Sequence, residues 1–171
     1  HSNGYTALRH HLLNGNFETR ENFKKLYKGK HSLDDKFDNS TIGKILLEPT
    51  KIYIRTMAKI SKEYDVVGVN NTGYGLKNFN RIKGNFEFLI DNPLEPQPIF
   101  ELMRKESKFS DKEMYGTFNM GVGFFVICKR KEADKILQIA KEGKIIGEVR
   151  KSNKTKTALQ LNNKKIIFEG Y

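Results

Sequence analysis

Three segments of this chain carry the residue types from which ligand sites are made. They are His1-Ser2-Asn3-Gly4, Asn71-Thr72-Gly73-Tyr74-Gly75, and the run Met114 to Gly123 that contains Asn119, Gly121 and Gly123. Each mixes glycine with small polar side chains, so backbone can approach a ligand closely and exposed N–H groups can hold an anion. His1 is a candidate general acid or base, since imidazole titrates at about 6.5. Asn119 can offer a ligand both a donor and an acceptor, or it can satisfy the backbone of a neighbouring turn. Residue type alone leaves those two roles open. Gly121 and Gly123, two apart on an expected strand, would leave one strand face open.

The middle segment has the setting of a phosphate-holding turn. Asp65 to Val69 reads as a buried strand, and a helix is expected from Leu76 to Ile82. Thr72, Gly73 and Gly75 sit between them, with a hydroxyl and two permissive backbone positions. The segment is neither a P-loop nor a dinucleotide fingerprint, because Gly-Lys-Ser/Thr and the three-glycine spacing are missing. A purely structural turn explains it equally well. No Ser-His-Asp order, Cys-His pair or metal-ligand spacing can be assembled. His10, His11 and His31 lack evident partners and read as surface residues. The acidic group Asp34, Asp35 and Asp38 lacks calcium-loop spacing and reads as solvated charge.

The elements that position these segments follow from periodicity. Leu8, Leu12 and Leu13 support a helix from Gly4 to Leu13. Pro49 and Thr50 open the next one, with Thr50 as N-cap and Tyr53, Met57, Ile60 and Tyr64 as its core stripe. Strands are expected at Phe86 to Ile90, Val122 to Cys128 and Ile145 to Val149. Helices are expected at Ile99 to Glu106, after a Ser110–Glu113 capping box, and at Lys131 to Glu142. A hairpin from Thr157 to Phe168 turning at Asn162-Asn163 closes the chain. Helices between strands indicate an α/β domain around a mixed sheet.

The chain has 171 residues, 37% hydrophobic and 30% charged, enough for one domain with a real core. No apolar run approaches the roughly 20 residues that span a bilayer, and no signal-peptide pattern opens the sequence. The single cysteine, Cys128, lies in an apolar run and reads as a buried structural thiol. A cytoplasmic setting is expected. The net charge of +11 invites a nucleic-acid partner, but the lysines are scattered and their clusters short. The same field would serve a phosphorylated small molecule. A chain opening directly on His1-Ser2-Asn3-Gly4 suggests a cut at a domain boundary.

Together these segments resemble the C-terminal domain of aminoimidazole ribonucleotide synthetase, also called phosphoribosylformylglycinamidine cyclo-ligase. The matching stretches are His1 to Tyr5, Leu46 to Tyr53, Thr72 to Gly75, Asp91 to Phe100, Glu113 to Tyr115, Thr117 to Gly121 and Ile146 to Val149. The proline segment and the Leu76 to Ile82 stretch look like the archaeal branch. The resemblance covers nearly the whole chain in family order; no single motif is specific.

The resemblance implies an α/β fold of α+β type, a three-layer α/β/α domain with a mixed sheet, spanning residues 1–171. It implies half of an enzyme that uses ATP to phosphorylate the formyl oxygen of formylglycinamidine ribonucleotide, after which a substrate nitrogen closes the imidazole ring. ATP and magnesium would be bound mainly by an N-terminal domain that this chain lacks, leaving no cofactor for the fragment alone. That domain would also build most of a homodimer. His1, Ser2, Asn3 and Gly4 would then face substrate and transferred phosphate, with Thr72, Gly73 and Gly75 as a second wall and Asn119 as a third. Two departures stand out. Asn70 occupies the family's usual histidine position, with Tyr74 where glycine is usual, and Gly116 stands where arginine is common. Other readings are a superfamily relative with a different phosphorylated substrate, and a basic module that binds nucleic acid without catalysis.

Overall fold

The computed structural model describes residues 3–171, so His1 and Ser2 lie outside the described residues. Helix α1 (Tyr5–Leu12) starts at Gly4, whose φ of 83° favours glycine. Helix α2 (Glu21–Lys24) follows, then a small hairpin of β1 (Lys36–Phe37) and β2 (Ser40–Thr41), and α3 (Ile42–Leu46). Helix α4 (Ile54–Glu63) leads to β3 (Val67–Asn70), a 3-10 helix at Gly75–Arg81, and β4 (Phe86–Ile90). Helices α5 (Pro98–Ser107) and α6 (Asp111–Thr117) precede β5 (Phe124–Ile127). A 3-10 turn at Arg130–Glu132 runs into α7 (Ala133–Ile139), followed by β6 (Gly147–Lys151), β7 (Lys156–Leu161) and β8 (Lys164–Phe168).

The main sheet has the order β6-β4-β7-β8, with β4 antiparallel to β6 and parallel to β7. It is therefore the mixed sheet expected of an α+β domain. Its inner strands bury consecutive residues because both of their faces are covered there. Phe88, Leu89 and Ile90 of β4 and Thr157, Ala158 and Leu159 of β7 are all buried. Leu12, Met103, Met114, Phe118 and Phe168 join one core that reaches from the sheet to α1, α5 and α6. The Thr157 hydroxyl donates to Asn80 Oδ1 at 2.9 Å, and Asn80 Nδ2 donates to the carbonyls of Phe168 and Gly170. Those bonds pin the 3-10 helix to the sheet.

Several expectations hold closely. The Ser110–Glu113 capping box is present in both directions, the helix expected from Ile99 is α5 with Pro98 added as its first residue, and the β7–β8 hairpin turns with Asn162 at φ 51°. Others are corrected. The helix expected after Thr50 begins at Ile54, because Tyr53 lies against Phe124 (centroids 5.5 Å apart) and residues 48–53 run without regular structure. The expected buried strand at 65–69 is β3, shifted to Val67–Asn70, and only Val69 is buried. The strand expected at Val122 to Cys128 is shortened to Phe124–Ile127 and pairs antiparallel with β3 alone, in a separate two-stranded sheet. At 75–81 a 3-10 helix replaces the expected α-helix. There Asn78 Nδ2 donates to the carbonyls of Gly73 and Gly75, competing with the α-helical pattern.

The acidic group near residue 35 is a turn. Asp35 Oδ2 accepts from Ser32 N at 3.1 Å, and Asp38, at φ 54°, begins the link between β1 and β2. His31 is not a bare surface residue. Its Nδ1 is 3.3 Å from Asp35 Oδ2 and its Nε2 is 3.6 Å from Glu106 Oε1. His10 and His11 pack against Tyr27 and Phe109. Cys128 is half-buried rather than buried; its partial burial still raises the thiol above its ordinary pKa, with Glu132 adding to the shift, so the thiolate nucleophile is disfavoured.

Candidate functional site

Asparagine side chains join the described parts of the three ligand-type segments. Asn3 Nδ2 donates to the Thr117 carbonyl at 3.0 Å, and Asn119 N donates to Asn3 Oδ1 at 3.4 Å. Asn71 Nδ2 donates to the Val122 carbonyl at 2.7 Å and the Asn119 carbonyl at 3.3 Å, while Asn71 N donates to the Gly123 carbonyl. Asn71 is 3% exposed, so these bonds are made where water cannot replace them.

The clamp holds a turn with demanding geometry. Val122 N donates to the Asn119 carbonyl at 2.9 Å, and the two residues between, Met120 and Gly121, have φ of 50° and 86°. Two consecutive positive φ values define a type I′ turn, which favours Gly or Asn over methionine. Asn119 Oδ1 accepts from Gly121 N at 3.0 Å and braces this turn. Asn119 is thus buried and committed to the turn's backbone, the second of its two expected roles. Gly121 belongs to that turn and Gly123 precedes β5, so they do not alternate along a strand.

In front of the clamp lies an open cleft of about 420 Å³. Residues 50–54 form one side, with Met57 from α4; Asn70, Asn71 and Thr72 at the end of β3 form another, closed by Gly123 and Phe124. Tyr53, Met57 and Phe124 give it an apolar floor, and Thr50, Asn70 and Thr72 add neutral polar groups. Among the described residues Lys51 is the one charged side chain in this lining. Burial pushes the Tyr53 phenol above its ordinary pKa, so it is neutral at pH 7. The cleft suits a ligand with a ring and an anionic group.

The expected site residues therefore separate into two layers. Asn70 and Thr72 line the cleft, and Asn70 is exposed. A Cβ at Gly73 would meet nothing within 4 Å, so its backbone is open to approach. Asn3, Gly4, Gly75 and Asn119 form the frame behind. A Cβ on Gly4 would lie 2.3 Å from the Phe118 ring, and one on Gly75 would lie 2.1 Å from the Tyr115 carbonyl. Tyr74 contacts Tyr171 (centroids 5.1 Å apart) and is absent from the cleft lining. Gly116 is buried beside Phe168, a packing position rather than a cleft position. Asn71, Lys51 and Tyr53 were not among the expected site residues. The only signal for them was adjacency: Asn71 to the glycine turn, Lys51 and Tyr53 to Pro49-Thr50.

Residues 1–160 match the family model described as AIR synthase related protein, C-terminal domain. The chain belongs to that family. It is 42% identical over 154 residues to the phosphoribosylformylglycinamidine cyclo-ligase of Methanosarcina mazei, a match covering 87% of this chain and 41% of that protein. The cyclo-ligase of Methanopyrus kandleri is 33% identical over 154 residues, covering 87% and 40%. That of Methanococcus maripaludis strain C7 is 33% identical over 182 aligned positions, covering 99% and 48%. The chain thus spans a little under half the length of these curated relatives. Among the described residues, no helix is long and apolar enough to cross a membrane.

Proposed function

We propose that this chain is the substrate-side half of an ATP-dependent cyclo-ligase converting formylglycinamidine ribonucleotide to aminoimidazole ribonucleotide. The observation that carries this reading is the cleft at Asn70–Thr72, with one lysine and an aromatic floor, in a chain similar to cyclo-ligases over most of its length. In this reading Asn70, Thr72 and the Gly73 backbone face the substrate. Asn3, Gly4, Gly75 and Asn119 act behind them, fixing the geometry of the wall. His1 and Ser2 are proposed to extend the wall from the N-terminal side.

ATP and magnesium belong, in this proposal, to an N-terminal domain that completes the site and the homodimer. Among the described residues no three His, Cys, Asp or Glu side chains gather as a metal site. Ile52 and Ile54, 82% and 72% exposed at the cleft's rim, are surfaces such a domain would cover. The half itself binds and orients the ribonucleotide, and the formyl oxygen is phosphorylated from the side of the N-terminal domain.

Calorimetric titration with formylglycinamidine ribonucleotide tests the proposal. Saturable one-to-one binding that survives moderate salt is expected. Binding of a different phosphorylated metabolite in its place would favour a family relative with another substrate, a reading that Asn70 in the usual histidine position supports. Affinity for RNA that falls steeply with salt would point to the nucleic-acid module instead.

A further inference from the structure

We infer that Lys51 is the phosphate-capturing side chain of the cleft, and that Glu142 occupies it competitively until an anion arrives. This rests on reading the cleft as the substrate site and assigns the phosphate end within it. Among the described residues Lys51 supplies the only charge in the lining, and no described carboxylate balances it from within. Its ammonium instead donates to the carboxylate of Glu142, which lies beyond α7 and outside the lining. That contact raises the Lys51 pKa, with the hydrogen bond as the main cause, so the amine stays charged when the pair forms.

The pair is a weak lock. Both side chains are well exposed, at 59% for Lys51 and 78% for Glu142, and exposed ion pairs between flexible side chains hold little free energy. A phosphate monoester carries more charge and more acceptor oxygens than one carboxylate, and so can displace Glu142. The Thr50 and Thr72 hydroxyls and the Asn70 amide, which share the lining, supply neutral donors beside it. The apolar floor of Tyr53, Met57 and Phe124 accepts the ring that bears the phosphate. The expected ligand is a phosphate monoester on an organic ring; free phosphate lacks the ring and should bind more weakly.

Ribose 5-phosphate, inorganic phosphate and formylglycinamidine ribonucleotide, each titrated into wild type, Lys51→Ala and Glu142→Gln, test this. Wild type should bind ribose 5-phosphate more tightly than inorganic phosphate. Lys51→Ala should weaken ribose 5-phosphate binding about tenfold, the loss of one charge-assisted hydrogen bond. Glu142→Gln should tighten it about two- to fivefold by removing the competitor, which a merely structural Glu142 would not do. Unchanged or weakened binding in Glu142→Gln would overturn the competition. Formylglycinamidine ribonucleotide bound equally by wild type and Lys51→Ala would overturn the Lys51 assignment and leave the substrate reading standing. Ribose 5-phosphate bound through Lys51 while formylglycinamidine ribonucleotide is refused would keep the phosphate site and overturn the substrate reading. Refusal of all three ligands would overturn both.

Discussion

The four-stranded sheet and the cleft are held together by different means. In the sheet, β4 and β7 have partners on both edges, and Phe88, Leu159 and Phe168 are almost wholly buried. Backbone ladders and apolar packing fix the geometry there. Around the cleft the only strands are β3 and β5, four residues each and paired only with one another. Apart from the start of α4, the rest of the wall is loop, and its geometry depends on the side-chain amides of Asn3, Asn71 and Asn78 taking up carbonyls of loops and of the end of α6. Meanwhile Leu47, Ile52, Ile54 and Val67 stay exposed in this quarter of the molecule. A stable scaffold thus carries a site whose shape depends on a few polar contacts and whose outer surface is unfinished.

The comparison can be broken at either end. Phe168→Ala should have the largest effect, about 3–5 kcal/mol of lost stability in urea unfolding, because a nearly fully buried ring leaves a cavity. A loss near the surface average would mean that the sheet is not the stabilising core. Asn71→Ala should cost about 2 kcal/mol, since it strips a donor from two carbonyls at a buried position. Asn70→Ala, one residue away but exposed, should stay within about 0.5 kcal/mol of wild type in the same experiment. Equal costs at the two positions would remove the distinction between frame and cleft.

The smallest effect is a pH dependence in the sheet. A hydrogen bond from Lys165, with Lys156 adding to it, holds the Glu87 carboxyl below its ordinary value of about 4.5. A depressed acid contributes stability above its unfolded pKa and loses it as pH falls through the folded one. The stability gap between wild type and Glu87→Gln should therefore be present at neutral pH and close as pH drops below about 4.5. Unfolding curves whose gap stays constant into acid would show that the ion network does not stabilise the sheet.

The sheet and its helices were more legible in the sequence than the cleft, for a physical reason. Burial writes itself as periodicity, so Phe86–Ile90, the Ser110 capping box and the Asn162 hairpin could be read locally. The cleft depends on contacts between residues far apart in sequence. Nothing near Asn71 announces that its amide reaches Val122, and nothing near Asn119 decides between ligand and turn. Tyr53 fits a helical stripe, yet it packs on Phe124 of β5 and is itself the N-cap, three residues after the expected Thr50 cap. Residue type did single out Thr72, which lines the cleft. Lys51 was hidden because one lysine among many carries no local signal.

The most direct test of the central claim is an amide shift map by NMR as formylglycinamidine ribonucleotide is added. Shifts concentrated at Lys51, Asn70 to Gly73 and Gly123, with β4, β7 and β8 silent, are the predicted result. Saturable binding whose shifts fall on the main sheet or on α2 while the cleft stays unchanged would contradict it.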